Sequence, residues 1–338
     1  MEEDDVSPLN LGMIAAYYYI NYVTIEAFSL SLKPKTKLRG LLEIISSAAE
    51  FEDVPVRLHE EGLLGRIYDR VPVKTEAPNY NDPHFKTSLL LQAHFSRISL
   101  PADLESDQKL ILEKVIRLLQ AIVDVISSNG WLSPALSAME LSQMCVQGLW
   151  DRDSPLKQLP HLSSAVVEKL QKQDVQGVFD LMEMDDKERD RILELDARRM
   201  GDVAKFVNRY PNIDVTYELD SEQVESGDAV TVKILLEREG EDEEIGPVIA
   251  PFFPVKKDEG WWIVIGDPSD KTLLAIKRLS FGQKTTLKLD FAAPERVGEV
   301  QVKMYLMCDG YLGVDQEFDL NLVVTPAQDQ EEDAMDQD

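Results

Sequence analysis

Hydrophobic positions recur every three or four residues from Leu9 to about Trp150, which predicts helices. The run "LRGLLEIISSAAEF" has this spacing, and "KLILEKVIRLLQAIVDVISSNGW" is apolar over more than half of its helical circumference. A helix of the second kind has to be surrounded by other helices. Asn129 and Gly130 are suitable residues to end it. Residues 9–152 are therefore predicted to form a helical bundle with this run as its central helix.

The apolar pattern becomes shorter after Trp150. Residues 153–211 contain four or five short helical runs separated by turns, with Asp185 and Glu188 forming a capping-box-like start and Pro211 closing the group. We predict that these runs form a compact unit resembling a helix-hairpin-helix.

Apolar and polar residues alternate from Asn212 onward, which predicts β-strands. Seven or eight short strands in roughly 110 residues are typical of an immunoglobulin-like or fibronectin type III-like β-sandwich, predicted over 212–325. The strand-like runs are "IDVTYEL", "AVTVKILLERE", "PVIAPFFP", "GWWIVIGD", "LLAIKRLSF", "TTLKLDFAAP", "VQVKMYLMCD" and "DQEFDLNLVV". The fold class is thus a multidomain chain, α then β, with an acidic linker at 1–8 and a disordered acidic tail at 326–338.

Charge and cysteine content narrow the function classes. The formal net charge of -27 argues against broad, sequence-independent binding of nucleic acid, although a local basic groove stays open. Cys145 and Cys308 give neither a disulfide framework nor a metal-binding spacing, so two buried thiols in a reducing compartment are expected. The apolar opening run follows Glu2, Glu3, Asp4 and Asp5 rather than basic residues, and polar residues interrupt it. It is therefore interpreted as a core helix, with Ile14, Tyr18, Ile25 and Phe28 facing inward, and not as a signal peptide or membrane span.

No enzymatic constellation can be assembled from the sequence. It has no phosphate-binding GxxxxGK[ST] loop, no GxSxG elbow and no HExxH helix. The four histidines, His59, His84, His94 and His161, are scattered over separate elements, which does not favour a metal site. We expect no catalytic residue, metal or cofactor in this chain.

Three features admit a binding role beside a structural one. In "QLPHLSSAVVEKLQ", His161 stands where the glycine of a phosphate-binding hairpin normally lies, and packing is the favoured interpretation. Lys114, Arg117 and Gln120 form a polar stripe on the central helix, which either touches RNA or is solvated. Trp261 and Trp262 alternate across one strand, so one fills the core and the other faces solvent, a neighbouring domain or a protein partner.

The order of these units resembles the Sec-sixty-three module, found in an endoplasmic-reticulum translocation protein and in large RNA helicases. The resemblance extends from Pro8 to about Val324 and is closest to the second, C-terminal module of spliceosomal RNA helicases of the Brr-two type. The segments that carry it include "SPLNLGMIAAYYYINY", "NDPHFKTSLLLQAHFSR", "SSNGWLSPALSAMEL", "LKQLPHL", "VFDLMEMDD", "FVNRYPNI", "GPVIAPFFP", "EGWWIVIGD", "IKRLSF" and "YLMCDGYLGVDQE". Met13 favours the C-terminal copy of the module.

The resemblance implies roles that composition and periodicity do not show. In the family the central helix is a ratchet helix that touches RNA through two basic residues; here Arg117 keeps one and Gln120 replaces the other. His161 weakens the same function, so we expect at most weak RNA contact. ATP and Mg²⁺ belong to motor domains that this sequence does not contain.

The expected role is that of a non-catalytic, nuclear platform for protein interaction and regulation in pre-mRNA splicing. Its expected partners are spliceosomal proteins and the N-terminal helicase cassette of the parent, with no membrane. Two alternatives stay open, namely guidance of single-stranded RNA and a role in endoplasmic-reticulum translocation. Winged-helix and RecA-like sequence encoded upstream of Met1 is expected to identify the parent.

Overall fold

The structure is a computed structural model that describes residues 10–240 and 245–328. Its helices are α1 (Asn10–Tyr18), α2 (Tyr22–Ser31), α3 (Leu38–Ser46), α4 (Glu61–Arg70), α5 (Pro83–Phe95), α6 (Ala102–Ser128), α7 (Leu132–Gln147), α8 (Ser164–Lys172), α9 (Val178–Glu183), α10 (Asp186–Leu193) and α11 (Ala197–Arg209). Short 3₁₀ turns cover Ala49–Phe51 and Pro155–Gln158. The strands are β1 (Ile213–Leu219), β2 (Gln223–Glu225), β3 (Ala229–Arg238), β4 (Trp261–Asp267), β5 (Thr272–Leu279), β6 (Lys284–Ala292), β7 (Gly298–Cys308) and β8 (Gln316–Thr325). The predicted order of helices followed by strands is confirmed, and the acidic ends at 1–8 and 329–338 lie outside the described residues.

The described chain divides into two compact units. The helical unit contains the residues up to Pro211, together with 245–260 and Cys308–Val314. The β unit contains the strands between these segments and the described residues from Asp315 onward. Two segments from within the predicted sandwich range thus belong to the helical unit.

Helix α6 lies at the centre of the helical unit. Helices α1, α2, α3, α5 and α7 all pack against it. Because partners lie on several sides, its buried residues are spread around the helix rather than along one stripe. They include Ile111, Leu112, Val115, Leu118, Leu119, Ile122, Val123 and Ile126.

The opening apolar run forms two helices, α1 and α2, instead of one. Asn21 separates them, and its side-chain oxygen accepts a hydrogen bond from the backbone N–H of Val23 (3.0 Å), which caps α2. Three of the four predicted core residues, Ile14, Ile25 and Phe28, are buried. The fourth, Tyr18, is only half-buried, because its hydroxyl donates to Asp124 Oδ2 on α6 (2.7 Å).

The segment "PVIAPFFP" was predicted to be a strand, and this prediction is wrong. It is irregular and belongs to the helical unit. Its three prolines lack the N–H groups that a sheet ladder requires, and side chains bind its remaining backbone groups. The N–H of Ile249 donates to Tyr311 Oη (3.0 Å), while Gln147 Nε2 on α7 donates to the carbonyl of Ile249 (3.3 Å).

The β unit contains two sheets. One has the order β1-β3-β6 and is antiparallel; the other has the order β2-β8-β7-β4-β5, with β2 parallel to β8. The short strand β2 has no counterpart among the predicted runs. Burial alternates along β3, as the period of two predicts. Along β4, by contrast, every residue is buried, so both faces of this strand are covered.

Candidate functional site

The residues predicted to form a polar stripe lie at three-residue intervals on α6. Lys114, Arg117 and Gln120 are all half-buried. Lys114 is fixed, because its ammonium donates to the carbonyl of Glu50 (3.1 Å). The carboxylate of Glu50 in turn accepts from the N–H of Asn21 (2.8 Å) and the hydroxyl of Thr24 (2.6 Å) at the start of α2. The lysine therefore holds the α6–α2 contact together and is not freely available to a phosphate.

Arg117 differs from Lys114 in its hydrogen bonding. Its Nε is buried and has no hydrogen-bond partner within the described part of the chain. A buried, unsatisfied guanidinium N–H is costly, and each such group in a folded protein calls for an explanation, such as an ordered water, an ion or a functional role. Of the four predicted RNA contacts, Arg117 is the one whose geometry points to a missing partner.

His161 lies on a different part of the helical unit, in the turn between the 3₁₀ helix Pro155–Gln158 and α8. Its backbone has a φ of 66°, the left-handed conformation that a hairpin glycine would adopt without strain. Its Nε2 lies 2.7 Å from Asp202 Oδ2 on α11. The imidazole is thus engaged by a carboxylate, a structural role that agrees with the interpretation as packing.

Neither predicted interface tryptophan is on the surface. Trp261 and Trp262 are 0% and 2% exposed. The ring of Trp261 lies 6.3 Å from that of Phe281, and the guanidinium of Arg278 lies 4.4 Å from the centre of the Trp262 ring. Of the surroundings expected for the second tryptophan, solvent is therefore excluded, because β4 is covered on both faces.

An exposed apolar surface on α1 and α2 was not identified from the sequence. Tyr17 and Tyr19 are 76% and 87% exposed, and four further apolar side chains extend the surface along both helices. We call this set the aromatic face: Met13, Tyr17, Tyr19, Tyr22, Val23 and Leu30. These side chains lie on two helices that pack against each other, and exposed apolar patches mark interaction sites in soluble proteins. The sequence does carry a signal for this surface. The opening run contains more apolar residues than are needed to cover one buried face of a helix.

The described residues offer neither a metal site nor a membrane span. Within 10–240 and 245–328, no group of three His, Cys, Asp or Glu side chains is placed to hold a metal ion. Both cysteines, Cys145 and Cys308, are buried, as predicted, and neither forms a disulfide within the described residues. No helix in these ranges is long and apolar enough to cross a membrane.

The chain thus consists of a helical unit and a β unit. The candidate sites in the helical unit are the polar stripe on α6 and the aromatic face on α1 and α2. The model of the Sec63 Brl domain matches residues 8–321, so the chain belongs to this family. The resemblance inferred from the ten sequence segments is confirmed.

Similar full-length proteins are RNA helicases. The chain is 56% identical over 98% of its length to the U5 small nuclear ribonucleoprotein 200 kDa helicase of Drosophila melanogaster, and 55% identical over 97% to that of Homo sapiens. It is 49% identical over 96% to the DExH-box ATP-dependent RNA helicase DExH12 of Arabidopsis thaliana. The chain spans 15 to 16% of the length of these relatives.

Proposed function

We propose that this chain acts as the non-catalytic, C-terminal Sec-sixty-three module of a spliceosomal RNA helicase. In this role it is a nuclear platform for protein contacts and regulation during pre-mRNA splicing. The observation that carries the proposal is the similarity to U5 small nuclear ribonucleoprotein helicases over nearly the whole chain. The parent's ATP-driven unwinding, with its Mg²⁺, is assigned to the large part of those relatives that this chain does not match.

The aromatic face supports a role in protein contact. Exposed tyrosines combine a large apolar area with a polar hydroxyl, and they are enriched among residues that dominate interface energetics. A net charge of -27 meanwhile opposes unselective binding to RNA. The proposed partners are spliceosomal proteins and the N-terminal helicase cassette of the parent.

The proposed architecture of the β unit is an immunoglobulin-like sandwich, and that of the helices around α6 is a bundle. Contacts within the β unit support the first assignment. The ring of Tyr217 on β1 lies 5.4 Å from that of Phe318 on β8, and its hydroxyl donates to the carbonyl of Asp319 (3.2 Å). These contacts join the three-stranded sheet to the five-stranded sheet, as expected when two sheets pack face to face.

Affinity capture tests the role in protein contact. The chain is immobilised, incubated with nuclear extract, and its bound proteins are quantified by mass spectrometry. U5 ribonucleoprotein components should be enriched, and Tyr17→Ser with Tyr19→Ser should reduce that enrichment by about tenfold or more, because interface tyrosines are frequent hot spots. The matched control is Leu58→Ser with Leu110→Ser, which removes two exposed apolar side chains elsewhere on the helical unit. Equal capture by both double variants would reject the aromatic face as the contact surface.

Contact with single-stranded RNA through α6 is the second candidate function. The unsatisfied Nε of Arg117 favours it. Arg117→Ala should weaken binding of labelled oligonucleotides and lower the salt slope by about 0.7, the value for one phosphate contact on a single strand. Absence of RNA binding at low salt would exclude this candidate.

A further inference from the structure

The loop between α2 and α3, together with the first turn of α3, is locally basic although the chain as a whole is acidic. Lys33, Lys35, Lys37 and Arg39 lie within seven residues that contain no acidic side chain, in a protein of net charge -27. All four side chains are exposed. We call this set the basic loop. A local cluster of one sign attracts ions of the opposite sign even when the whole protein repels them.

Hydrogen bonds give the basic loop a defined shape. The N–H of Lys33 donates to the hydroxyl of Thr36 (2.9 Å), and the N–H of Thr36 donates to the carbonyl of Lys33 (3.1 Å), which closes a turn around Pro34. Arg39 donates to the carbonyl of Lys74 (2.5 Å), which ties the basic loop to the segment before α5. Among the described residues, neither Lys35 nor Lys37 forms an ion pair, and both are therefore free to bind an anion.

A groove of about 360 Å³ opens beside the basic loop, between α2 and α3. Apolar side chains provide part of its wall, while hydroxyls and one carboxylate supply polar atoms. The lining residues are Ala27, Phe28, Ser31, Thr36, Gly40, Glu43, Ile44 and Ser47. Thr36 belongs to both features, so the loop and the groove form one continuous surface.

We propose that the basic loop and the groove together bind single-stranded RNA, with successive phosphates on the loop and one base in the groove. Several cations on one short segment can neutralise several phosphates, which a single anion does not offer. The groove suits a base, which has apolar faces and polar edges that hydrogen-bond when unpaired. A purely acidic peptide fits less well, because it has no flat apolar face to place in the groove, whereas a base has one. The site is separate from the α6 stripe and does not rest on the proposed splicing role.

Fluorescence anisotropy with a labelled 12-nucleotide oligo(C) tests the loop. Lys35→Ala with Lys37→Ala should weaken binding about tenfold or more and reduce the salt slope by about 1.4, since each phosphate contact on a single strand contributes about 0.7. Lys277→Ala with Lys288→Ala, two exposed lysines of the β unit, makes the same change in net charge and should leave both values nearly unchanged. Circular dichroism melting confirms that each variant is folded.

A second pair of variants tests the groove without changing charge. Ala27→Leu fills part of the groove from an exposed helix position and should weaken binding about fivefold or more, because one stacked base contributes substantially to affinity. Ala16→Leu makes the same change on an exposed position of α1 and should have no effect.

Three results would overturn the proposal. The first is equal binding by the two lysine double variants. The second is loss of binding with Arg117→Ala alone. The third is full displacement of oligo(C) by a 12-residue polyglutamate peptide, together with no effect of Ala27→Leu. The last result would assign the surface to an acidic protein instead. None of them bears on capture of spliceosomal proteins through the aromatic face, so the two proposals fail independently.

Discussion

Lys86 on α5 and Asp107 on α6 form an ion pair, with Nζ 2.8 Å from Oδ2, although the two side chains are 0% and 2% exposed. Lys86 also pairs with Glu60 Oε2 (2.7 Å) and donates to the carbonyl of Pro55. Arg57 completes the group, because its guanidinium binds both oxygens of Asp107 and one of Glu60. Two cations and two carboxylates thus balance each other, with Lys86, Glu60 and Asp107 buried and Arg57 38% exposed at the edge of the group.

Removing the lysine should be strongly destabilising. Lys86→Met leaves two buried carboxylates to share one guanidinium, and breaking a buried pair costs about 3–5 kcal/mol. Urea unfolding measures the loss. Lys86→Met with Glu60→Gln restores the charge balance and should recover part of the stability. Lys109→Met removes an exposed partner of Glu105 and should cost less than about 0.5 kcal/mol. Equal losses for Lys86→Met and Lys109→Met would contradict the role of the buried network.

The same helical unit should lose stability when His94 is protonated. Burial lowers the pKa of His94 from 6.5 to about 4, although its hydrogen bond to the carbonyl of Cys145 (2.6 Å) opposes the shift. Between about pH 4 and pH 6.5, His94 is therefore mostly protonated in the unfolded chain and mostly neutral in the folded chain. The stability that neutral His94 contributes is fully present above pH 6.5 and decreases by up to about 3 kcal/mol as the pH falls through this window.

Urea unfolding at pH 7 and at pH 4.5 checks this dependence. His94→Gln should reduce the difference in stability between the two pH values, because the substituted side chain does not titrate. His59→Gln, a matched substitution at an exposed position, should leave that difference as it is in the wild type. An unchanged pH dependence in His94→Gln would show that other groups account for it.

The stability that Glu60 and Asp107 of the buried network contribute depends on pH in a lower range. Burial by itself raises the pKa of Glu60 and of Asp107, but hydrogen bonds from Lys86 and Arg57 outweigh it and the pKa of each carboxyl is lowered. Their contribution is present above the unfolded-state pKa values of 4.5 and 3.8 and is lost as the pH falls below them through the folded-state values. A second acid-induced loss below about pH 4.5 is therefore expected, and Lys86→Met should reduce it.

Burial of the tryptophans gives a prediction for the β unit. Trp261→Ala should destabilise that unit by about 3–5 kcal/mol, because it leaves a large cavity. Hydrogen exchange of the amides in β4 and β7 should speed up accordingly, whereas Val297→Ala, at an exposed position, should change it little. Slow exchange in Trp261→Ala would contradict the burial that the structure shows.

The sequence predicted what periodicity controls. The central position of α6 followed from its apolar circumference, and the strands followed from alternation. The strand prediction for residues 247–254 was wrong. The apolar residues of this segment satisfy a strand pattern locally, but its conformation depends on hydrogen bonds with the side chains of Gln147 and Tyr311, which are distant in sequence. Burial of both tryptophans was missed for a related reason. Alternation predicts one buried face for a strand and does not reveal that both faces of β4 are covered.

The candidate sites were only partly accessible to sequence reasoning. Arg117 was identified through the family resemblance and a polar position on α6. The buried position of its unsatisfied Nε depends on packing, as does the network around Lys86, whose members are separated by up to 50 residues. The basic loop was readable as a charge cluster, but the groove beside it required the relative placement of α2 and α3.

Fractionation of cells that express the endogenous, tagged protein containing this sequence tests the central claim most directly. Nuclear extract is separated on a glycerol gradient, and each fraction is probed for the tag and for U5 small nuclear RNA. We predict that the tagged protein is nuclear and sediments with U5 RNA. Sedimentation apart from U5 RNA, or recovery with endoplasmic-reticulum membranes, would contradict it.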